Sequence, residues 1–520
     1  MVQPPVNRLI AGALVALIVL HVLHVLHYNF VSDDAFISLR YAANLLAGHG
    51  LVFNPVERVE GFTSPLWTLL LAGFGACGFD LLEAARALGL LCSVLALPTT
   101  YWLALQCGAT PPTALIAPAL LAFNGSFACW TASGMETALF VGLIAAAFVT
   151  ALARSYWASA SLTAAATLAR PEGLLVLLVL GCYQLVRAKR DEGRSWLPWL
   201  LVGGGPYALF LGFRRWYYGD WLPNTYYAKT GGGWTQIQRG LDYLRDYAAD
   251  HEGLLLLVGL AIFALLRRTA EIRLVAVGWL LFWLAVAWVG GDGLPMYRFA
   301  LAPLPLFAAL AAACISDLAQ PFLAARKSGV ALAVVLGCAW AYTHWSPPRL
   351  KSHYSAYQFQ QQVEIPSWTR VGQWFADSAP TGASIAVVPI GAVAYYSKLE
   401  VRDMLGLTDR HIARRNLSGL GRGWAGHEKH DGQYVLQRRP TYLLLGNVDV
   451  TEQPRDPRKR PFIPYDNPHI WTREQDMFAT ELIFERYRPR SVQIAPGQYL
   501  NFYELKPEFL QPYSRPTFGI

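Results

Sequence analysis

Apolar runs separated by short polar loops fill the chain up to residue 345, and the pattern then stops. A bilayer core about 30 Å thick takes roughly 20 apolar residues in a helix. The runs 9–30, 88–106, 112–128, 135–153, 157–170, 171–187, 196–213, 253–267, 274–291, 298–318 and 328–345 are the expected crossings. Basic loops tend to stay on the cytoplasmic side. Three such loops are Arg187 to Arg194, Arg267 to Arg273, and Arg326 with Lys327. With these inside, residues 214–252, 292–297 and everything after 346 lie outside, and so does the turn from Trp130 to Glu136.

The stretch 65–79 breaks this alternation if it also crosses, because it moves one outer loop to the wrong face. Its apolar part opens at Pro65, ends at Asp80 and is short for a span, which suits a helix lying along the outer surface. Eleven crossings result, with the N-terminus inside. The head carries Arg8 like a signal sequence but has no small-residue cleavage site before Asp33, so the first span is read as retained.

After residue 346 the pattern changes period. Ser384 to Val388 and Thr441 to Leu445 read as buried strands, and Val363 to Asp377 as a helix with Trp368, Val371, Trp374 and Phe375 on one face. Pro-rich stretches at 453–468 and 505–517 read as loops. The expected architecture is a multi-pass α-helical membrane domain (1–345, with a first outer loop at 31–87) followed by an α/β domain (346–520) outside the cell membrane.

Composition agrees with this reading. The chain is 54% hydrophobic and only 15% charged, against about a quarter charged in soluble proteins. The net charge of +8 does not imply nucleic acid, because the basic residues sit in short loops and not in a stripe with interleaved aromatics. The seven cysteines (77, 92, 107, 129, 182, 314 and 338) lie in or beside apolar runs without CxxC spacing, which argues against a disulfide framework and against zinc.

The polar clusters that interrupt the pattern fall on the outer face. They are Asp33-Asp34, Glu60 within 59–65, Glu136 within 133–137, Arg170 within 169–173, the 219–229 segment with Asn224, Tyr227 and Lys229, and Asp292 with Arg298. Such convergence suggests one polar cavity above the bilayer. Two adjacent carboxylates at the membrane boundary can serve as a general base or hold a cation beside a lipid phosphate. They can also cap the helix that follows, and the sequence leaves both roles open. His21, His24 and His27 recur at a step that drifts around a helix, which favours packing over metal binding. The 426–431 segment, with His427 and Glu428, reads as a solvated loop with metal or sugar contact as the alternative.

Taken together, Asp33 to Tyr41, Gly48 to Pro55, Glu60 to Trp67, Ser133 to Thr137, Arg170 to Gly173, Leu222 to Thr225, Gly291-Asp292, Tyr297 to Phe299 and Asp403 to Asp409 resemble the GT-C superfamily of polyprenyl-phosphate-sugar-dependent glycosyltransferases. Within it the motifs are most similar to the group containing the mycobacterial terminal β-(1→2) arabinofuranosyltransferases. The resemblance implies Asp33 and Asp34 as the catalytic pair. It makes Arg40, Glu60, Glu136, Asn224, Tyr227 and Asp292 substrate-binding candidates, and Arg170, Lys229 and Arg298 candidates for the donor phosphate. It implies a polyprenyl-phosphate sugar donor, D-arabinofuranose by likeness, and a glycan or glycoprotein acceptor outside a bacterial inner membrane. A divalent cation, Mg²⁺ or Mn²⁺, on the Asp pair is compatible with the motif but not required by it. The rivals are another lipid-linked sugar, such as mannose or aminoarabinose, and a transporter, which predicts charges deep within spans and an inverted repeat.

Overall fold

The computed structural model describes residues 8–55, 57–189, 195–251, 269–323, 351–459, 462 and 476–510. The expected crossings 253–267 and 328–345 fall outside these residues, as do Arg190 to Arg194, Arg267, Arg268, Arg326, Lys327, half of the 453–468 stretch and the part of 505–517 after residue 510.

The apolar runs fold as helices. Arg8–Tyr28, Leu81–Gln106 and Ala270–Val289 are long and apolar enough to cross a membrane. Shorter apolar helices, Thr137–Leu152, Gly173–Ala188 and the 304–317 part of Leu304–Leu323, pack among them. Leu81–Gln106 lies against Thr137–Leu152, which lies against Tyr156–Ala169, which in turn meets Leu197–Tyr218. Ala96, Ala138, Ala145, Ala160 and Ala166 of these helices are fully buried; small side chains let helices approach where apolar burial alone gives little drive.

Two boundaries differ from the sequence reading. The second expected crossing begins at Leu81, not 88, because the Asp80 carboxylate accepts from the amides of Leu82 (2.9 Å) and Glu83 (3.0 Å) and starts the helix early. The run 112–128 is not one rod: it divides into Pro111–Ala114, Ile116–Ala122 and Gly125–Thr131, with a 60° bend before the last piece. Asn124 makes that bend by accepting from the Phe127 amide at 2.8 Å. The stretch 65–79 is a helix, Pro65–Ala76, packed on Asp33–Leu46 and Leu81–Gln106. Its 12 residues span about 18 Å at 1.5 Å each, well short of the hydrocarbon core.

The C-terminal part is a six-stranded mixed sheet. Strands β1 (Ser384–Val387), β2 (Glu400–Asp403) and β3 (Tyr442–Leu444) are parallel, in the order β2-β1-β3. Strand β6 (Gln498–Leu505) runs antiparallel to β3 and to β4 (Val450–Thr451), while β5 (Tyr487–Ala495) pairs with its other edge. Both faces of β1 are buried, as parallel strands require. One face packs with Trp368, Val371 and Phe375 of the Ile365–Ser378 helix in a core that also contains Phe36, Leu39, Tyr41 and Trp67 from the first loop region. The sheet is therefore built onto the first loop region, and the cavity lies along that seam.

Candidate active site

The site begins where the chain leaves the first helix. Ser32 is the N-cap of Asp33–Leu46 and its side chain makes no capping bond. The capping alternative for the Asp pair thus gives way: Asp33 and Asp34 occupy the first turn, where helix amides favour negative charge. The two carboxylates then part company. Asp33 is buried, and its oxygens accept from the Gly391 amide (2.9 Å) and the Ala392 amide (2.7 Å) at the start of the Ala392–Ser397 helix. Burial pushes Asp33 up to about 7, and the Asp34 charge adds to the rise against those two hydrogen bonds. Asp34 keeps about a quarter of its side chain exposed (26%) and stands 3.7 Å from the Arg298 guanidinium.

Arg298 is fixed from several sides. It pairs with Asp292 at 2.8 and 3.2 Å, and its guanidinium lies over Trp130 (5.2 Å) and Phe299 (5.1 Å). The two residues before it, Met296 and Tyr297, have φ of +62° and +50°. Left-handed backbone at non-glycine residues persists only where the surroundings enforce it. Here the Trp130 indole donates to the Met296 carbonyl (3.0 Å), the Met296 amide donates to His353 (3.1 Å), and the Tyr297 hydroxyl donates to Asp250. This strained turn aims Arg298 at Asp34.

Asp33, Asp34, Lys229 and Asp292 line one cavity of about 230 Å³. Lys229 has no ion pair or hydrogen bond to another described residue. A smaller, mostly apolar groove adjoins, with Phe140, Val141, Phe282, Val286 and Phe299 in its walls and Arg170 and Arg298 beside them. Arg298 lines this groove and meets the larger cavity through its contacts with Asp34 and Asp292, which are in that cavity's wall. Arg170 is held by Glu136 (2.6 Å) and Glu172 (2.9 Å), so Glu136 is a buried partner of an arginine and not an open acid.

The remaining candidates lie elsewhere. Arg40 is buried and donates to the carbonyls of Phe53 (2.8 Å), Ala394 and Leu399 (2.6 Å), tying the first loop to the sheet domain. Glu60 forms a buried bidentate pair with Arg214 at 2.6 and 3.0 Å. Asn224 donates to the carbonyls of Gly406 (2.8 Å) and Leu407 (3.1 Å). Tyr227 lies beneath the Arg414 guanidinium (4.4 Å) and its carbonyl accepts from Lys429 (2.7 Å). All four are engaged in contacts between elements of the protein, and none of them lines the cavity that holds Asp34. In the Asp403 to Asp409 motif, Asp403 accepts from the amides of Leu405, Gly406 and Thr408 and shapes the turn that Asn224 grips.

The weaker motifs also resolve. His21 stacks on Phe127 at 5.3 Å and His24 bonds the Ala122 carbonyl at 3.1 Å, so they pack against the bent helix. Glu428 pairs with Arg239 (2.8 Å) and accepts from the Gly421 and Gly423 amides, which folds its loop over the cavity and puts Trp424 to His427 in the wall. Sequence reasoning missed Gln360, Glu364, Trp368 and Asn447, which also line the cavity. Glu364 and Trp368 fall in the helix expected over 363–377, where only the apolar face with Trp368 was informative, whereas Gln360 and Asn447 lie outside any pattern that marked a site.

Among known families, a domain of unknown function, DUF8728, matches residues 353–503. A terminal β-(1→2)-arabinofuranosyltransferase of Mycobacterium tuberculosis is 30% identical over 255 residues, 42% of this chain and 38% of the relative. The enzyme of the same name from Corynebacterium glutamicum is 60% identical over 38 residues, 7% of this chain and 6% of the relative. The matched regions therefore span well under half of either curated relative. Among solved structures, ArnT from Cupriavidus metallidurans in the apo state aligns with a TM-score of 0.54 at 12% identity, covering 95% of this chain and 98% of that one. The same protein bound to undecaprenyl phosphate aligns with a TM-score of 0.52 at 13% identity, covering 75% and 86%. By its backbone and by these neighbours, the chain has the GT-C fold, a multi-pass membrane architecture with a C-terminal domain.

Proposed function

We propose that the protein transfers a sugar from a polyprenyl-phosphate donor to a glycan or glycoprotein acceptor outside a bacterial inner membrane, and that the sugar is D-arabinofuranose. The observation that carries the reading is one cavity holding a partly exposed carboxylate, Asp34, beside the Arg298 guanidinium and the Lys229 ammonium. The acceptor hydroxyl oxygen attacks the anomeric carbon, its proton passes to Asp34, and the bond from that carbon to the phosphate oxygen breaks. The lipid phosphate leaves toward Arg298 and Lys229, which stabilise its charge; a guanidinium matches phosphate geometry and an ammonium acts as a point charge. One base on one face inverts the anomeric centre. The groove beside Arg170 and Arg298 offers apolar walls for the first isoprenoid units.

Asp33 is a positioning residue in this scheme. Both of its oxygens are committed to backbone amides, and they hold the seam on which Asp34 is mounted. The donor set fits a divalent cation poorly. No three His, Cys, Asp or Glu side chains are placed to hold a metal among the described residues, and Asp34 already faces a cation. Transfer that survives EDTA is the expected outcome. Eleven crossings, with the first loop and the sheet domain on the outer face, complete the proposal.

The arabinose assignment is supported by the mycobacterial and corynebacterial similarities. The likeness of fold to ArnT keeps a second reading, another lipid-linked sugar, in view. Purified protein given polyprenyl-phosphoryl arabinofuranose and short glycans should transfer sugar, and Asp34→Asn should abolish transfer while leaving the protein folded. Transfer only from another lipid-linked sugar would discard arabinose. Normal transfer by a folded Asp34→Asn variant would falsify the mechanism.

A further inference from the structure

The walls of the cavity differ in chemistry from end to end. At one end Lys229 lies against Gly426, the Asp292 to Leu294 turn lies against Trp424 and Ala425, and Arg298 stands next to Asp34. At the other end all but one of the polar groups come from the C-terminal domain. Glu364 accepts from the Asn447 amide nitrogen at 2.9 Å, the Trp368 indole donates to the Asn447 carbonyl at 3.2 Å, and Asp33 joins them from the first loop.

Gln360 completes this second end. It is 8% exposed, it lines the cavity, and its buried amide oxygen has no hydrogen-bond partner among the described residues. It opens the single π-helical turn, Gln360–Glu364, that interrupts the run of helix from Lys351 to Ser378. Such turns are frequent at functional sites, and this one carries Gln360 and Glu364 into the same wall. A buried acceptor without a partner is costly; it calls for a donor that arrives with a ligand.

We propose that Gln360 and Glu364 form the acceptor-sugar subsite, with Asn447 and Trp368 as its backing. They would bind the hydroxyls of a neutral sugar ring while the cationic end holds the donor phosphate. This deepens the function proposed above and rests on it for the identity of the second substrate. The chemistry of the wall selects the class of ligand. Two carboxyls, two amides and an indole, with no cation among them, repel a phosphate and suit a polyol. Burial raises the Glu364 carboxyl to about 7, with the Asp33 charge adding to the rise, so near neutrality it both donates and accepts, as a hydroxyl-rich ligand requires. Asp34 lies between the two ends, next to the bond to be made.

The test uses the full-length protein in detergent, with a short arabinan as acceptor and polyprenyl-phosphoryl arabinofuranose as donor. Gln360→Leu removes a group whose oxygen has no partner among the described residues, so the variant should fold with an unchanged or higher thermal midpoint. It should nevertheless raise the acceptor KM about tenfold, the equivalent of one hydrogen bond of about 1.4 kcal/mol, with the donor KM unchanged. Glu364→Gln keeps the Asn447 contact and should raise the acceptor KM in the same direction. A folded Gln360→Leu variant with an unaltered acceptor KM, or with only the donor KM raised, overturns the subsite.

A second measurement separates this failure from failure of the function itself. The arabinan alone, without donor, should quench the intrinsic tryptophan fluorescence of Asp34→Asn protein and should do so less in the Asp34→Asn, Gln360→Leu double variant. Equal quenching in both, or none in either, counts against the subsite whatever the transfer assay shows. If no donor supports transfer but quenching follows Gln360, the subsite stands and the donor assignment falls.

Discussion

At the scale of single residues, the site separates two adjacent aspartates that the sequence presents as a pair. Asp34 has an open side chain and a cation at 3.7 Å, so Asp34→Asn should lower kcat by roughly 10² to 10⁴, the usual contribution of a general base, with little change in thermal midpoint. Asp33→Ala should do the reverse first. It strands two buried amides, each worth about 1–3 kcal/mol when left unpaired, and a thermal melt in detergent should show the loss. The pH dependence follows from the same burial. Asp33 and Glu364 both titrate near 7 in the folded protein, above their ordinary values of 3.8 and 4.5. The folded state therefore binds more protons than the unfolded state between these limits, and their contribution to stability is complete below pH 4 and fades as pH rises to about 7. The thermal midpoint should fall across that window, and Asp33→Asn combined with Glu364→Gln should flatten the fall; an unchanged slope would contradict the assignment.

At the scale of elements, the chain's own pattern disclosed the most where periodicity was strong. The apolar runs, the short helix at 65–76 and both buried strands near 385 and 442 follow directly from spacing and length. The bend at Asn124 and the early start at Asp80 escaped because each turns on one side chain accepting from a backbone amide, which hydropathy does not register. The same blindness hides the partners of Arg40, Glu60 and Asn224. Clustered charges at loop ends look alike whether they face a ligand or each other, and only the fold shows that Arg214 closes on Glu60. Removing one partner of that buried pair should therefore act on stability. Glu60→Ala should cost about 3–5 kcal/mol by leaving a charge without its counter-ion, while Glu60→Leu with Arg214→Met should recover most of it. Neither change should alter the donor KM of the folded fraction. Gly391 marks the seam between the sheet domain and the first loop: an added Cβ there would overlap the Asp33 carbonyl oxygen and carboxyl carbon. Gly391→Ala should thus impair transfer by parting the seam, with protease sensitivity of the C-terminal domain as the readout.

At the scale of the whole molecule, the proposed mechanism requires the first loop and the sheet domain to share one side of the membrane, since the cavity draws its walls from both. The proposal puts that side outside the membrane, and the protein's own cysteines allow it to be tested. Cys77 is exposed at the end of the Pro65–Ala76 helix, whereas Cys107, Cys129 and Cys314 are buried. Cys182 is exposed within the apolar Gly173–Ala188 helix, where surrounding lipid would bar a charged reagent. A membrane-impermeant maleimide applied to sealed right-side-out vesicles should therefore modify Cys77, and Cys77→Ser should remove that labelling. In the Cys77→Ser background, Glu452→Cys, at an exposed position of the sheet domain, should be modified from the same side. Labelling of one site from outside and the other only after permeabilisation would split the cavity between compartments, and the proposed mechanism would fail with it. Labelling of both only after permeabilisation would keep the cavity whole but turn the protein over, moving the transfer reaction to the cytoplasmic face.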